Sequence, residues 1–218
     1  MGALLELLPE LLRGALLTLE VTVMAAAVAL VLAFAIALAR LGHSALLRVA
    51  ATVYVEILRG TSALVQLFYL FFILPLAGIT LDPVATAVIG LGLNFSAYGS
   101  EIVRGAILAI EPGQWEAARA LNLSRLRTLR HVILPQAVII MLPSFGNQLV
   151  ELLKATSLVS LITLTDLTFA GSRLITATGR PDAVWSLVLV FYFVMAFPLS
   201  RMTRRLERRL TPFRAGAR

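Results

Sequence analysis

The sequence predicts an all-α membrane protein with five transmembrane helices. Three observations carry that expectation: five stretches without a charged residue, a low overall charge content, and a lopsided placement of arginine between successive loops. The charge-free stretches are 21–39, 60–81, 83–100, 132–150 and 183–200, each 18 to 22 residues long. A helix needs about 20 apolar residues to cross the hydrocarbon core. In lipid every backbone polar group must be satisfied within its own segment, so helices are the default. The 218-residue chain is 59% hydrophobic and 14% charged, whereas a soluble domain carries about 25% charged residues. Lipid is the natural solvent for that much apolar surface.

With their flanks, the spans are expected at about 14–39, 54–77, 83–108, 132–155 and 183–203, in one transmembrane domain covering 1–218. A loop at about 109–131 separates spans three and four. The stretch 155–165 is 11 residues long and rich in Ser and Thr. It reads as a continuation of span four or a re-entrant piece. No cleavable signal peptide is expected, because the early residues include Glu6, Pro9 and Glu10 rather than a basic n-region. Segment 4–12 reads as a mildly acidic amphipathic stretch at the membrane surface or capping the first span.

Five spans place the termini on opposite sides. Of the 19 Lys and Arg, 15 fall on the side that holds Arg40, Arg48 and Arg59, the third loop and the C-terminus. The other side holds Arg13, Lys154, Arg173 and Arg180. Basic residues accumulate on the cytoplasmic face, which predicts N-terminus out and C-terminus in. The net charge of +7 is therefore topological and does not call for a nucleic-acid partner. The run 201–209 reads first as a solvated, snorkelling tail, and second as a contact to anionic headgroups. The chain has no cysteine and two histidines, so neither a disulfide framework nor a metal cage is expected. His43 and His131 read as loop residues without a special role.

The loop 104–131 has an order of its own. Pro112-Gly113 breaks the chain after span three, and Gln114 to Leu121 is rich in helix formers. Asn122 tolerates the left-handed conformation that ends a helix. Ser124 is placed to cap a second short helix carrying Arg125, Arg127 and Arg130. A helix, a turn and a basic helix suit a docking surface better than a mere connection.

Glu116-Ala117-Ala118, then Asn122, then Val132-Ile133-Leu134-Pro135 resembles the cytoplasmic loop of ABC-importer permease subunits. That family's pattern is EAA, three residues, Gly, nine residues, then Ile-x-Leu-Pro. Asn122 replaces the Gly and Val132 the first Ile. Val55-Glu56-Ile57-Leu58-Arg59-Gly60-Thr61, Ala97-Tyr98-Gly99-Ser100-Glu101-Ile102-Val103-Arg104-Gly105 and Leu153-Lys154-Ala155-Thr156-Ser157-Leu158 extend the likeness to the polar amino-acid uptake branch, over about residues 14–210. The resemblance implies the type I ABC-importer permease architecture in a bacterial inner membrane. It implies a second permease subunit, identical or not, two cytoplasmic ATPase subunits that bind ATP and Mg, and an extracytoplasmic solute-binding protein. Gly113, Glu116, Ala117, Ala118, Ala120, Leu121 and Asn122 are then the ATPase-coupling residues. The chain itself has no Walker A loop, since its single lysine, Lys154, follows Leu153 rather than Gly. No cofactor and no covalent chemistry are expected of it.

Ionisable and amide groups at membrane depth are functional candidates. Ser144, Gln148, Glu151 and Ala155 share a helix face by spacing, with Asn147 and Lys154 at its edge and a kink expected at Pro143. Gln148, Glu151 and Ala155, with Asn94 and Tyr98 of span three, form the candidate substrate set. Their structural alternatives are a Glu151–Lys154 pair and, for Asn94, a link between helices. Glu56, Arg59, Glu101 and Arg104 are candidate ion pairs of an inner gate, or simple interfacial anchors. The chain looks most similar to the ectoine and hydroxyectoine branch, through Arg59-Gly60-Thr61-Ser62, Ala120-Leu121-Asn122 and 151–158. Relatives for polar or cationic amino acids often carry Asp where Ala155 stands. The expected cargo is a small polar or zwitterionic solute, ectoine-like or a polar amino acid. A stand-alone channel or secondary transporter is the alternative from another class. It calls for inverted repeats or intramembrane acid chains, and neither is evident.

Overall fold

The computed structural model describes residues 8–215, with side chains described as far as Arg209. Residues 4–7 of the expected surface segment lie outside the described residues, and 8–12 open the first helix. The elements are α1 (Leu8–Leu41), α2 (Ala45–Gly60), α3 (Ala63–Phe68, extended by turns to Ala77), α4 (Pro83–Leu108), α5 (Pro112–Ala120), α6 (Arg125–Thr128), α7 (Leu134–Ala155), α8 (Leu167–Thr178) and α9 (Pro181–Ala215). A 3-10 segment, Thr156–Ile162, continues α7.

Three of these helical stretches are both long and apolar enough to cross a membrane: Leu8–Leu41, Arg125–Ile162 and Pro181–Arg209. A fourth is added if the bent pair Ala45–Gly60 and Ala63–Ala77 counts as one span. Helix α4 has 26 residues, about 39 Å at 1.5 Å per residue. It is long enough to span but less apolar, because it is the central helix and faces protein. Thr86, Asn94, Ser96 and Ser100 are all buried on it.

Close approach of α1 to α4 holds the middle of the molecule together. Ala25, Ala29, Ala33 and Ala37 recur every four residues on α1, and all are buried. They form a smooth face on which α4 lies flat. A Cβ added at Gly92 would stand 2.7 Å from Val28, and one at Gly99 would stand 2.9 Å from Ala33. The core is layered along α1. Leu11 and Ala15 pack with Leu167, Leu174, Val184 and Val188 at one end. Val21 and Ala25 pack with Leu67, Leu91, Leu152 and Ile162 in the middle. Ala33 and Ala37 pack with Val103, Ile133, Ala137 and Met141 at the other end.

Prolines explain two local departures. Wide π-turns occupy Tyr69–Ile73 and Leu129–Ile133. Each precedes a proline, Pro75 or Pro135, whose ring crowds the carbonyl four residues back and whose nitrogen donates nothing. The span expected at 54–77 as one helix is divided. The axis turns by 104° between α2 and α3, with Thr61 and Ser62 extended. Tertiary hydrogen bonds hold this bend. Gln66 Nε2 donates to Thr61 Oγ1 at 2.7 Å and to the Leu58 carbonyl at 3.0 Å. Asn94 Nδ2 donates to the same carbonyl at 3.1 Å and to Gln66 Oε1 at 3.2 Å.

At the far end, Gly14 passes so close to α8 that an added Cβ would lie 2.9 Å from the Asp166 carbonyl oxygen. The Leu167 amide donates to Thr18 Oγ1 at 3.2 Å. Asp166 is fully buried and caps α8, accepting from the Thr168 and Phe169 amides at 3.1 and 3.0 Å. Burial pushes its carboxyl up to about 6 against the pull of those amides. Because the folded value is raised, the protonated form is favoured by folding. That stabilisation is complete below about pH 4 and is lost as pH rises through about 6, amounting to about 3 kcal/mol for two pK units. Asp166→Asn keeps the cap but cannot titrate. The wild-type melting midpoint is therefore expected to fall relative to that of the variant between pH 4 and 6, and to run parallel above. Parallel profiles across the whole range would contradict this.

Candidate coupling and gate sites

Helix α5 starts at Pro112, placed in the first turn where a missing N–H costs nothing. It ends as expected: Asn122 is left-handed at φ 55°. The Asn122 and Leu123 amides close back on the Arg119 and Ala118 carbonyls at 2.9 and 3.0 Å. Ser124 stands extended at the start of α6, but its side chain makes no cap. Its carbonyl instead accepts from the Thr128 amide and hydroxyl.

One face of α5 is anchored and the other is bare. Trp115 packs into the core layer of Val103 and Ile133, and Ala118 is buried. Gln136 of α7 donates to Gln114 Oε1 at 3.2 Å. Glu116, Ala117, Ala120 and Leu121 are exposed, Leu121 to 75%. Gly113 has no atom within 4 Å of where a Cβ would stand, so nothing in its own chain demands a glycine. Of the expected coupling residues, Ala118 thus faces inward, and the others face outward or form the turn. Arg125 fastens α6 to the end of α1, donating to the Leu41 carbonyl at 2.9 Å and bonding the His43 ring. His43, read as a bystander, is thus part of the anchor. A cavity of about 920 Å³ opens beneath this hairpin, lined by Leu38, Leu41, Trp115, Arg119 and Leu126 among others.

The expected gate residues converge with one exchange. Glu101 Oε1 meets Arg40 Nη1 at 2.5 Å and Arg59 Nη1 at 3.7 Å, while Oε2 accepts from Arg104 Nε and Nη2 at 3.0 and 2.8 Å. One carboxylate thus links the ends of α1, α2 and α4 through three guanidiniums. Arg59 also lies over the Tyr98 ring, 5.3 Å from its centroid. Glu56 is exposed and outside the cluster. Arg40 takes part instead; it stands just past the charge-free stretch 21–39, and its partner lies 61 positions away on α4.

The expected substrate residues do not form one group. Asn94 spends its amide on the α2–α3 bend. Gln148 is buried and donates to the Phe95 carbonyl at 2.5 Å. Its Oε1 is buried without a donor, a condition that costs about 1–3 kcal/mol. Glu151 and Lys154 are exposed and Ala155 is half-buried. Among the described residues Glu151 and Lys154 form no ion pair with each other.

The sequence profile of the family described as binding-protein-dependent transport system inner membrane component matches residues 29–212. The chain belongs to this family. It is 45% identical over 212 residues to the probable amino-acid ABC transporter permease y4tF of Sinorhizobium fredii, covering 94% of this chain and 89% of that one. It is 40% identical over 211 residues to the glutamine transport system permease GlnP of Escherichia coli K12, covering 96% of each. Among solved structures, an amino acid ABC transporter with histidines superposes at a TM-score of 0.90, with 33% identity over 95% of this chain and 97% of that one. The MetNI methionine transporter, 20% identical over 92% of this chain and 96% of that one, shares the fold at 0.80. The chain is therefore a multi-pass inner-membrane permease subunit of an ABC importer, not an enzyme. Its family works with an ATPase, further permease and a binding protein.

Proposed function

We propose that this permease crosses the inner membrane five times, N-terminus out and C-terminus in, and imports a polar amino acid by alternating access. In this reading α1, the bent α2–α3 pair, α4, α7 and α9 are the spans. The permease pairs with a second permease subunit on two ATPase subunits that hold ATP and Mg, and receives its cargo from the binding protein. The observation that carries the reading is the division of α5: an inward face tied to α4 and α7, and exposed side chains at Ala117, Ala120 and Leu121, with Glu116 exposed at the edge of the cavity beneath the hairpin. A rigid lever with one free face suits a groove on a moving partner. The open space at Gly113 fits a backbone that the ATPase approaches closely.

The relative named for glutamine transport supports a polar amino acid as cargo. Gln148 is the residue we assign to meet the cargo when alternating access opens the bundle beside it, because its buried Oε1 has no donor and suits an ammonium or amide N–H. Glu151 supplies a carboxylate on the same helix, and Ala155 shapes the space beside it. Asn94 and Tyr98 act one step away, through the bend and through Arg59. Competition of labelled glutamine uptake in vesicles tests the cargo. A polar amino acid in excess should abolish uptake, and ectoine should leave it unchanged. Displacement by ectoine alone would move the cargo to the compatible solutes that the 59–62 and 151–158 resemblances suggest.

A further inference from the structure

Helix α9 carries a face that changes chemistry within one turn. Val190, Val194, Phe197, Arg201, Arg204 and Arg208 follow one another at spacings of three and four, so they lie in one line along the helix. Above Arg201 the line is apolar and uncovered: Val190, Val194 and Phe197 are 51%, 59% and 44% exposed. From Arg201 onward it is guanidinium. Thr203 marks the opposite side, buried against α7 where a Cβ on Gly146 would stand 2.4 Å from its Oγ1. The arginine line therefore points away from the bundle, as the apolar line above it does.

The arginines also shape a site. Phe197, Arg201, Arg204, Arg205 and Arg208, all on α9, border an open cleft of about 210 Å³, and no carboxylate is among its lining side chains in the described residues. Glu207, three residues after Arg204, flanks the line but is not among the residues that line the cleft. The Arg201 guanidinium sits 5.0 Å from the centroid of the Phe197 ring, which fixes it at the level where the apolar face ends. Guanidiniums three and four residues apart reach a common oxyanion, and their planar donors match phosphate geometry.

We infer that this cleft binds the phosphate of an anionic phospholipid headgroup in the inner leaflet, with the acyl chains lying along Phe197, Val194 and Val190. The inference rests on the orientation proposed above, which brings α9's basic end to the cytoplasmic leaflet. Continuity decides the occupant: a ligand that meets the arginines in line with the exposed apolar face has a charged head and an apolar tail. Basic residues at the membrane surface attract such lipids, and screening by salt sets their range.

The test is lipid retention, read by native mass spectrometry on the assembled transporter exchanged between phosphatidylglycerol and phosphatidylcholine. The wild type should retain phosphatidylglycerol in preference. The pair Arg204→Gln with Arg208→Gln should lower that retention on the order of tenfold, with an unchanged melting midpoint. The pair Arg127→Gln with Arg130→Gln, equal in charge but off this face, should retain it. Equal loss in both pairs, no preference in the wild type, or displacement of the lipid by millimolar inorganic phosphate would overturn the site. So would release of the ATPase from the Arg204/Arg208 variant with lipid retention intact. Because retention is read without transport, a failed uptake assay leaves this result standing.

Discussion

Glu116→Arg and Ala120→Trp are each expected to cut solute transport by tenfold or more while the permease stays folded. Both side chains are exposed on α5, Glu116 beside the open cavity under the hairpin, so neither change replaces a buried core residue. Surface substitutions of this kind usually alter stability by less than about 0.5 kcal/mol. The loss falls on the partner contact: a reversed charge at Glu116, or a bulky ring at Ala120, displaces the lever from its groove. ATP hydrolysis should then continue with fewer solute molecules moved per ATP. Ala118→Trp makes the contrast, because Ala118 is 3% exposed and overpacking there costs stability of about 1–3 kcal/mol. Unchanged solute-to-ATP ratios in both outward variants would contradict the docking face.

Removal of the Glu101 carboxylate is the second large effect. Glu101→Gln leaves Arg40, Arg59 and Arg104 converging without a counter-charge. Arg40 is the least exposed of the three, at 13% of its side chain. Breaking a buried pair from one side costs about 3–5 kcal/mol. Partial solvation of Arg59 and Arg104 lowers the expected loss here to about 2–3 kcal/mol. The link between the ends of α1, α2 and α4 should loosen with it, raising ATP hydrolysis in the absence of solute. Adding Arg104→Gln should recover part of the stability by removing one of the repelling charges. A melting midpoint for Glu101→Gln equal to that of the wild type, with no rise in basal hydrolysis, would show that the cluster is mere surface anchoring.

What could be read from sequence was local or periodic. The long apolar helices α1 and α9 follow from charge-free runs, and the α5–Asn122–α6 hairpin follows from breakers and spacing. The left-handed Asn122 is the clearest case, since a short polar side chain is what that backbone tolerates. What could not be read depends on partners far along the chain. The break between α2 and α3 contains no proline. It is held by Asn94, 36 residues from the Leu58 carbonyl it bonds. Arg40 finds Glu101 across 61 positions, and no pattern within α1 announces it. Periodicity placed Gln148 and Glu151 on one side of α7, but not which edge turns inward. Gln148 is buried against α4 and Glu151 is exposed. Asp166 was legible in principle, as an Asp before a helix that ends at Gly179. Its burial came only with the packing of α1 on α8.

The central claim is that this chain moves a solute only when a partner ATPase drives the lever formed by α5. Proteoliposomes containing the permease, with the binding protein and labelled solute outside and ATP enclosed, test it directly. Uptake should require the ATPase subunits and stop when a non-hydrolysable ATP analogue replaces ATP. Equal uptake by the permease alone would contradict the account and return the chain to the class of self-sufficient transporters.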